Sequence, residues 1–247
     1  KSLIIAWETS GSNPGAATIS MKIYPSHGIA VDGASGTAIE VTSNADPDIA
    51  PAISGLGAGA VAVWIDASSH ALTAQTFDEN GRAFGPTDGI AVGSVGSVSE
   101  MAIASLTFDA ASIGSGPGPE AGASAPAQPD DQFAIVWVEN ADAHGYGNIM
   151  LQRYGVPYDD DGHEQSPVAL GRDGQIDGNN APEQLAVVTD AGLLSAEGRA
   201  PQAIGLKDGA LALAWVECTN SGEQIRGEVI GPHGGDQILL IDLFTLF

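Results

Sequence analysis

Residues 158–164 read YDDDGHE, three successive carboxylates, a glycine and a glutamate on what must be a tight turn. Crowded hard oxygen donors suit a calcium ion, and Asp159, Asp161 and Glu164 are the candidate ligands. The spacing is tighter than that of a D-x-D-x-D-G loop, and a solvated acidic hairpin tip is the competing reading. A second candidate is Asn44, Asp46 and Asp48. Spacing of two in extended backbone puts all three side chains on one side, where they could hold a metal. Ordinary turn chemistry, with Asn and Asp capping their own backbone, competes with it. Asp173, Asp177, Asn179 and Asn180 form a weaker third group.

No residue set points to catalysis. The five histidines do not converge in sequence, and neither H-E-x-x-H nor G-x-S-x-G is present. His27 and His233 precede matching turn glycines, which points to local backbone geometry. Cys218 is the sole cysteine, so no internal disulfide can form, and no histidine lies beside it as a partner. An acid follows each tryptophan by one or two residues: Glu8, Asp66, Glu139 and Glu217. Either they form a negative ring for cations or a basic partner, or they are polar strand ends near water.

Composition narrows the partners. With 31 acidic and 8 basic residues the formal charge is −23. Nucleic acid is bound by Lys and Arg on phosphates, so it is not expected here, nor is an anionic membrane surface. Divalent cations and basic or glycan partners remain. No apolar run nears the roughly 18 residues of a membrane helix, so no membrane insertion is expected. The 33 glycines and 14 prolines fit many turns between short strands.

The elements that would position these residues repeat. Each of the four tryptophans ends an apolar run: residues 2–7 (SLIIAW), 60–64 (AVAVW), 133–137 (FAIVW) and 211–215 (LALAW). A second strand follows a short loop: residues 19–24 (ISMKIY), 72–77 (LTAQTF), 149–154 (IMLQRY) and 225–230 (IRGEVI). After a turn comes a third run, at 37–41, 90–92, 168–170 and 238–241. Three copies also have a run before the Trp strand, at 49–56, 101–106 and 202–206. With these strands named a, b, c and d, the order is bcd-abcd-abcd-abcd, in units of about 45–50 residues. Such meanders cannot bury both faces alone, and radial stacking does so while leaving short edges. The expected fold is therefore an all-β β-propeller, or part of one. It has four four-stranded antiparallel blades, near 1–43, 44–97, 98–170 and 198–247, and the first lacks its inner strand. A β-sandwich is the alternative.

The repeat resembles that of β-propeller modules in secreted RTX-type (haemolysin-type calcium-binding) bacterial proteins. Residues 200–215 (APQAIGLKDGALALAW), 72–81 (LTAQTFDENG) and 149–154 carry the likeness, which spans nearly the whole chain. The G-G-x-G-x-D nonapeptide of those proteins is absent. The resemblance implies a secreted, extracellular bacterial module. Together with the acidity it makes a non-catalytic binding or structural role expected, calcium-stabilised, in adhesion or assembly. A propeller subunit or accessory domain of a secreted peroxidase or hydrolase is the alternative.

Two insertions interrupt the rhythm. Residues 109–131 are rich in Gly, Ala, Ser and Pro and read as a flexible surface loop; residues 171–199 contain PEQLAVV, a short helix or an extra strand. Because the first copy lacks strand a, another protein chain, or sequence lost to processing, is expected to complete the propeller.

Overall fold

The computed structural model describes residues 3–11, 15–24, 38–57, 59–86, 89–92, 97–107, 131–158, 165–171, 183–184, 186–189, 192–195, 197–206, 209–219, 222–231 and 236–237. The described elements are all β-strands, and every pairing between them is antiparallel.

The first meander is β1 (Leu3–Ser10), β2 (Ala17–Tyr24) and β3 (Ile39–Ala45), in that order. The second is β4 (Ala52–Leu56), β5 (Gly59–Ile65) and β6 (Leu72–Phe77), edged by β7 (Ala83–Phe84) and β8 (Ile90–Ala91). The third is β9 (Val98–Thr107), β10 (Asp131–Glu139) and β11 (Gly147–Val156), edged by β12 (Val168–Leu170) and β13 (Glu183–Gln184). A separate hairpin joins β14 (Ala186–Thr189) to β15 (Gly192–Ser195). The fourth meander is β16 (Glu197–Gly205), β17 (Leu211–Thr219), β18 (Gly222–Ile230) and β19 (Asp236–Gln237). It is joined to the third where β16 pairs the start of β11 at Gly147 and Asn148.

The side-chain period of two decides how the meanders pack. In β2, Ala17, Ile19, Met21 and Ile23 are buried and alternate with half-buried residues, so one face is covered. In β5, β6 and most of β10 every residue is buried, which requires cover on both faces. Register then assigns each residue to a face. One face of each meander carries the tryptophan and the other does not. Three cores result, each between consecutive meanders. Ile19, Met21 and Ile23 of the first meet Ala60, Ala62, Trp64 and Phe77 on the Trp face of the second. Val61, Val63 and Leu72 of the second meet Phe133, Ile135, Trp137 and Tyr154 on the Trp face of the third. Val136, Val138 and Leu151 of the third meet Leu211, Leu213 and Trp215 on the Trp face of the fourth. Each fully covered large apolar side chain contributes about 1.5–3 kcal/mol. The strands a lie next to one another, β4 against β9 and β9 against β16. Ser54 of β4 donates its hydroxyl to that of Ser105 in β9 at 3.3 Å.

Several boundaries differ from expectation. Asp131 is the first residue of β10, paired with Thr107 rather than part of an insertion. The remainder of that insertion lies outside the described residues. The PEQLAVV segment contributes strand, in β13 and β14, and no helix. Strand a of the fourth meander starts five residues early, at Glu197, because a bulge between Arg199 and Gln202 absorbs Pro201. Asn44 lies inside β3, which runs to Ala45, so the first meander extends past residue 43.

Candidate functional site

The links between meanders and the b–c loops meet at one end of the sheets, and polar residues gather there. Ile65 leads straight from β5 into Asp66, which opens the β5–β6 loop. Its Oδ1 accepts the backbone N–H groups of Ser68 at 3.1 Å and Ser69 at 2.8 Å, and the Ser69 hydroxyl at 2.8 Å. Its Oδ2 accepts Asn44 Nδ2 from β3 at 2.8 Å. Burial alone would raise the Asp66 pKa, but the bonds from Ser69, Asn44 and Ser68 outweigh it and hold the carboxyl below its ordinary value. Asn44 Nδ2 also donates to Ser68 Oγ at 2.9 Å. Backbone bonds Asp46 N–H to Ile65 O and Ala67 N–H to Asn44 O, both 2.8 Å, close the seam.

The seam between the second and third meanders is simpler. Asn140, just past β10 and at a left-handed φ of 56°, donates its N–H to Ser97 O at 2.8 Å. Between the third and fourth meanders the junction is ionic. Arg199 of β16 donates to Glu223 Oε1 of β18 at 2.6 Å and lies over the Tyr146 ring, 5.2 Å from its centroid. The Tyr146 hydroxyl donates to the same carboxylate oxygen. Glu100 of β9 accepts the N–H of Ala200, which sits at a left-handed φ of 51°. The Tyr146 hydrogen bond comes first in holding Glu223 below the usual carboxylate range; burial opposes it, and Arg199 adds to it. Reciprocally, the Glu223 charge raises Arg199.

This arrangement clasps loops together. Asp66, Asp142 and Glu223 are occupied as acceptors from their own or neighbouring loops, with Asp142 taking the His144 and Tyr146 N–H groups. Asn44, Asp46 and Asp48 do come together at the first seam, but as turn and seam formers: Asp46 Oδ1 accepts the Asp48 N–H at 2.9 Å, and Asp46 Oδ2 faces His70 Nδ1 at 3.9 Å. Among the described residues no group of three or more His, Cys, Asp or Glu could hold a metal. Asp159, Asp161 and Glu164, with Asp173, Asp177, Asn179 and Asn180, lie outside the described residues.

The acids after the tryptophans do not form one ring. Asp66, Glu139 and Glu217 follow by two residues and share the Trp face, whereas Glu8 follows by one and turns to the other face. Glu217 is held by Arg226 Nε at 2.6 Å. Sequence reasoning did not select Tyr146, Arg199 or Glu223. In a chain with only 8 basic residues, each arginine beside a loop is itself a signal worth following.

A second polar set lies within the cores. Gln75 and Gln152 occupy matching positions in β6 and β11, both nearly inaccessible. Each donates to a carbonyl of a short strand edging its own, Phe84 of β7 at 2.7 Å and Leu170 of β12 at 3.0 Å. Each also donates to the next residue in its own strand. They pin those edge strands to strand c. Glu228 takes the same place in β18, buried in the third core with Arg153, which donates to Gln132 Oε1 at 3.2 Å and Gly209 O at 3.4 Å.

Searches of known protein families and of curated proteins find no match to this chain.

The depressed carboxylates set an acid limit. A group whose pKa is lower when folded adds stability that is complete above its unfolded pKa and is lost as pH falls through the folded value. Asp66, Asp142 and Glu223 all have this sign. Stability is therefore expected to hold from neutrality to about pH 5 and to decline below about pH 4. Urea midpoints across that range check it. Glu223→Gln should flatten the decline, and an unchanged acid slope in that variant would contradict the role given to Glu223.

Proposed function

We propose that the chain is a non-catalytic binding or structural module, part of a β-propeller completed by another chain, of the secreted RTX-type bacterial kind and acting in adhesion or assembly. One observation carries the propeller: four meanders in chain order are separated by three cores, with the strands a of the second, third and fourth side by side. A two-layer sandwich would share one core between two sheets. Radial stacking of repeated meanders has the observed pattern. The polar clasps at the seams support a scaffold role, since their carboxylates are engaged in holding loops. Solution scattering tests the fold: a ring-like or arc-like particle is expected, and a flat two-layer particle would remove the propeller.

Calcium stabilisation rests on Asp159, Asp161 and Glu164, whose residue types fit that ion. A ligand that binds only the native state at about 100 times its Kd adds about 2.7 kcal/mol. For a chain of this size that is roughly 5–10 °C in Tm. Calcium should raise Tm by that amount, chelator should reverse it, and Asp159→Asn with Asp161→Asn should abolish it. A Tm indifferent to chelator removes calcium from this reading.

A further inference from the structure

Each Trp face inside the chain is covered by the non-Trp face of the meander before it. The first meander breaks this rule. Its Trp face presents Leu3 at 61% exposure, Ile5 at 46% and Trp7 at 36%. Register puts Lys22 and Tyr24, both half-buried, on that same face. At the other end none of the three cores covers the non-Trp face of the fourth meander. Ile204 stands 62% exposed there. Beside it on that face, Ala212, Ala214, Val216 and Val229 are half-buried. Leu3, Ile5, Trp7 and Ile204 are, with Tyr158, the large apolar side chains exposed among the described residues. All but Tyr158 lie on these two terminal faces. Such patches mark interaction surfaces.

We propose that the Trp7 face of one copy seats the Ile204 face of a second copy, head to tail. The contact repeats, between chains, the interface that the chain already makes three times within itself. It rests on the proposed reading of the chain as a module completed by another chain, and names that chain as a second copy. The two faces are both apolar, tryptophan and aliphatic residues on one and small and aliphatic residues on the other, and in each internal core a Trp face likewise meets apolar side chains of the meander before it. A contact between two different faces is heterologous, so it closes into a ring or extends, and a symmetric pairing of like faces is not expected. The charge of −23 on every copy opposes association. That repulsion is screened beyond about 8 Å at physiological salt, whereas apolar burial is not. Association should therefore strengthen as salt is raised.

Sedimentation velocity over a concentration series tests this with Trp7→Glu and Ile204→Glu, both at exposed positions where folding should survive. The wild-type chain should associate, and more so at higher salt. Each variant alone should retain one competent face and sediment at least tenfold more weakly associated. An equimolar mixture of the two should restore a 1:1 complex through the intact face of each. A wild-type chain that stays monomeric overturns the contact, whether its Trp7 is quencher-accessible or shielded by closure of the chain on itself. So does a mixture that fails to restore the complex. Scattering from the monomeric Trp7→Glu variant scores the propeller separately, so the contact can fail while the four-sheet module stands.

Discussion

Trp137→Ala will destabilise the chain by about 3–5 kcal/mol, while Trp7→Ala will cost under about 1 kcal/mol. Both residues end the same strand of the same repeat, so sequence gives them equal weight. The structure does not. Trp137 is fully buried in the second core, which also holds Phe133, Ile135 and Tyr154 of its own sheet and Val61, Val63 and Leu72 of the sheet before. Its indole N–H is buried without a protein partner, so truncation forfeits no hydrogen bond and the cost is that of the cavity. Further along the same core Phe133 and Tyr154 stack with centroids 5.1 Å apart. Burial also pushes the Tyr154 phenol pKa up. Against a typical total of 5–15 kcal/mol the loss is a large fraction. Urea denaturation followed by circular dichroism measures both variants. Equal midpoints for the two would contradict the serial packing of Trp faces.

The strands were legible where packing and pattern agree. Runs such as AVAVW and FAIVW are apolar on both faces, and only a strand between two layers needs that. The c strands could be matched to one another because Gln75 and Gln152 recur where a short edge strand must be held. Strand a of the fourth meander was legible only in part. Gly198 and Pro201 break the pattern, and a bulge carries the strand through them. The position of Glu8 was misjudged because a one-residue offset from the tryptophan reverses the face. The ionic seam was invisible for a different reason. Tyr146 comes from the third meander, and Arg199 and Glu223 from separate strands of the fourth, so only the packed fold brings them together. The candidate calcium ligands were read from residue type alone, since local crowding of carboxylates is a sequence property. Turn chemistry at Asp46 was open to sequence as an alternative, and the loop geometry shows its carboxylate accepting the Asp48 N–H.

Gly205→Ala should destabilise by about 3 kcal/mol, the upper end for overpacking, or roughly 6–12 °C in Tm. Gly55→Ala should be neutral or slightly stabilising. The two glycines hold the same place: each lies in strand a, on the Trp face, opposite the residue four before the tryptophan. Ordinary strand propensity favours alanine over glycine at both by roughly 0.5–1 kcal/mol. Only their neighbours differ. A Cβ on Gly55 would meet Ile4 Cδ1 at 3.8 Å, an ordinary contact. One on Gly205 would fall 1.8 Å from Ser105 O and 2.9 Å from Ser105 C. Those are backbone atoms of β9 and cannot swing aside, so β16 must move away from β9 or the methyl cannot fit. Thermal unfolding of the two variants therefore reads the contact between adjacent strands a directly. If β9 and β16 stood apart, as in two layers that touch only through side chains, both substitutions would follow propensity and behave alike. A Gly205→Ala chain as stable as wild type would separate those strands, and the proposed radial arrangement would lose the contact on which it turns.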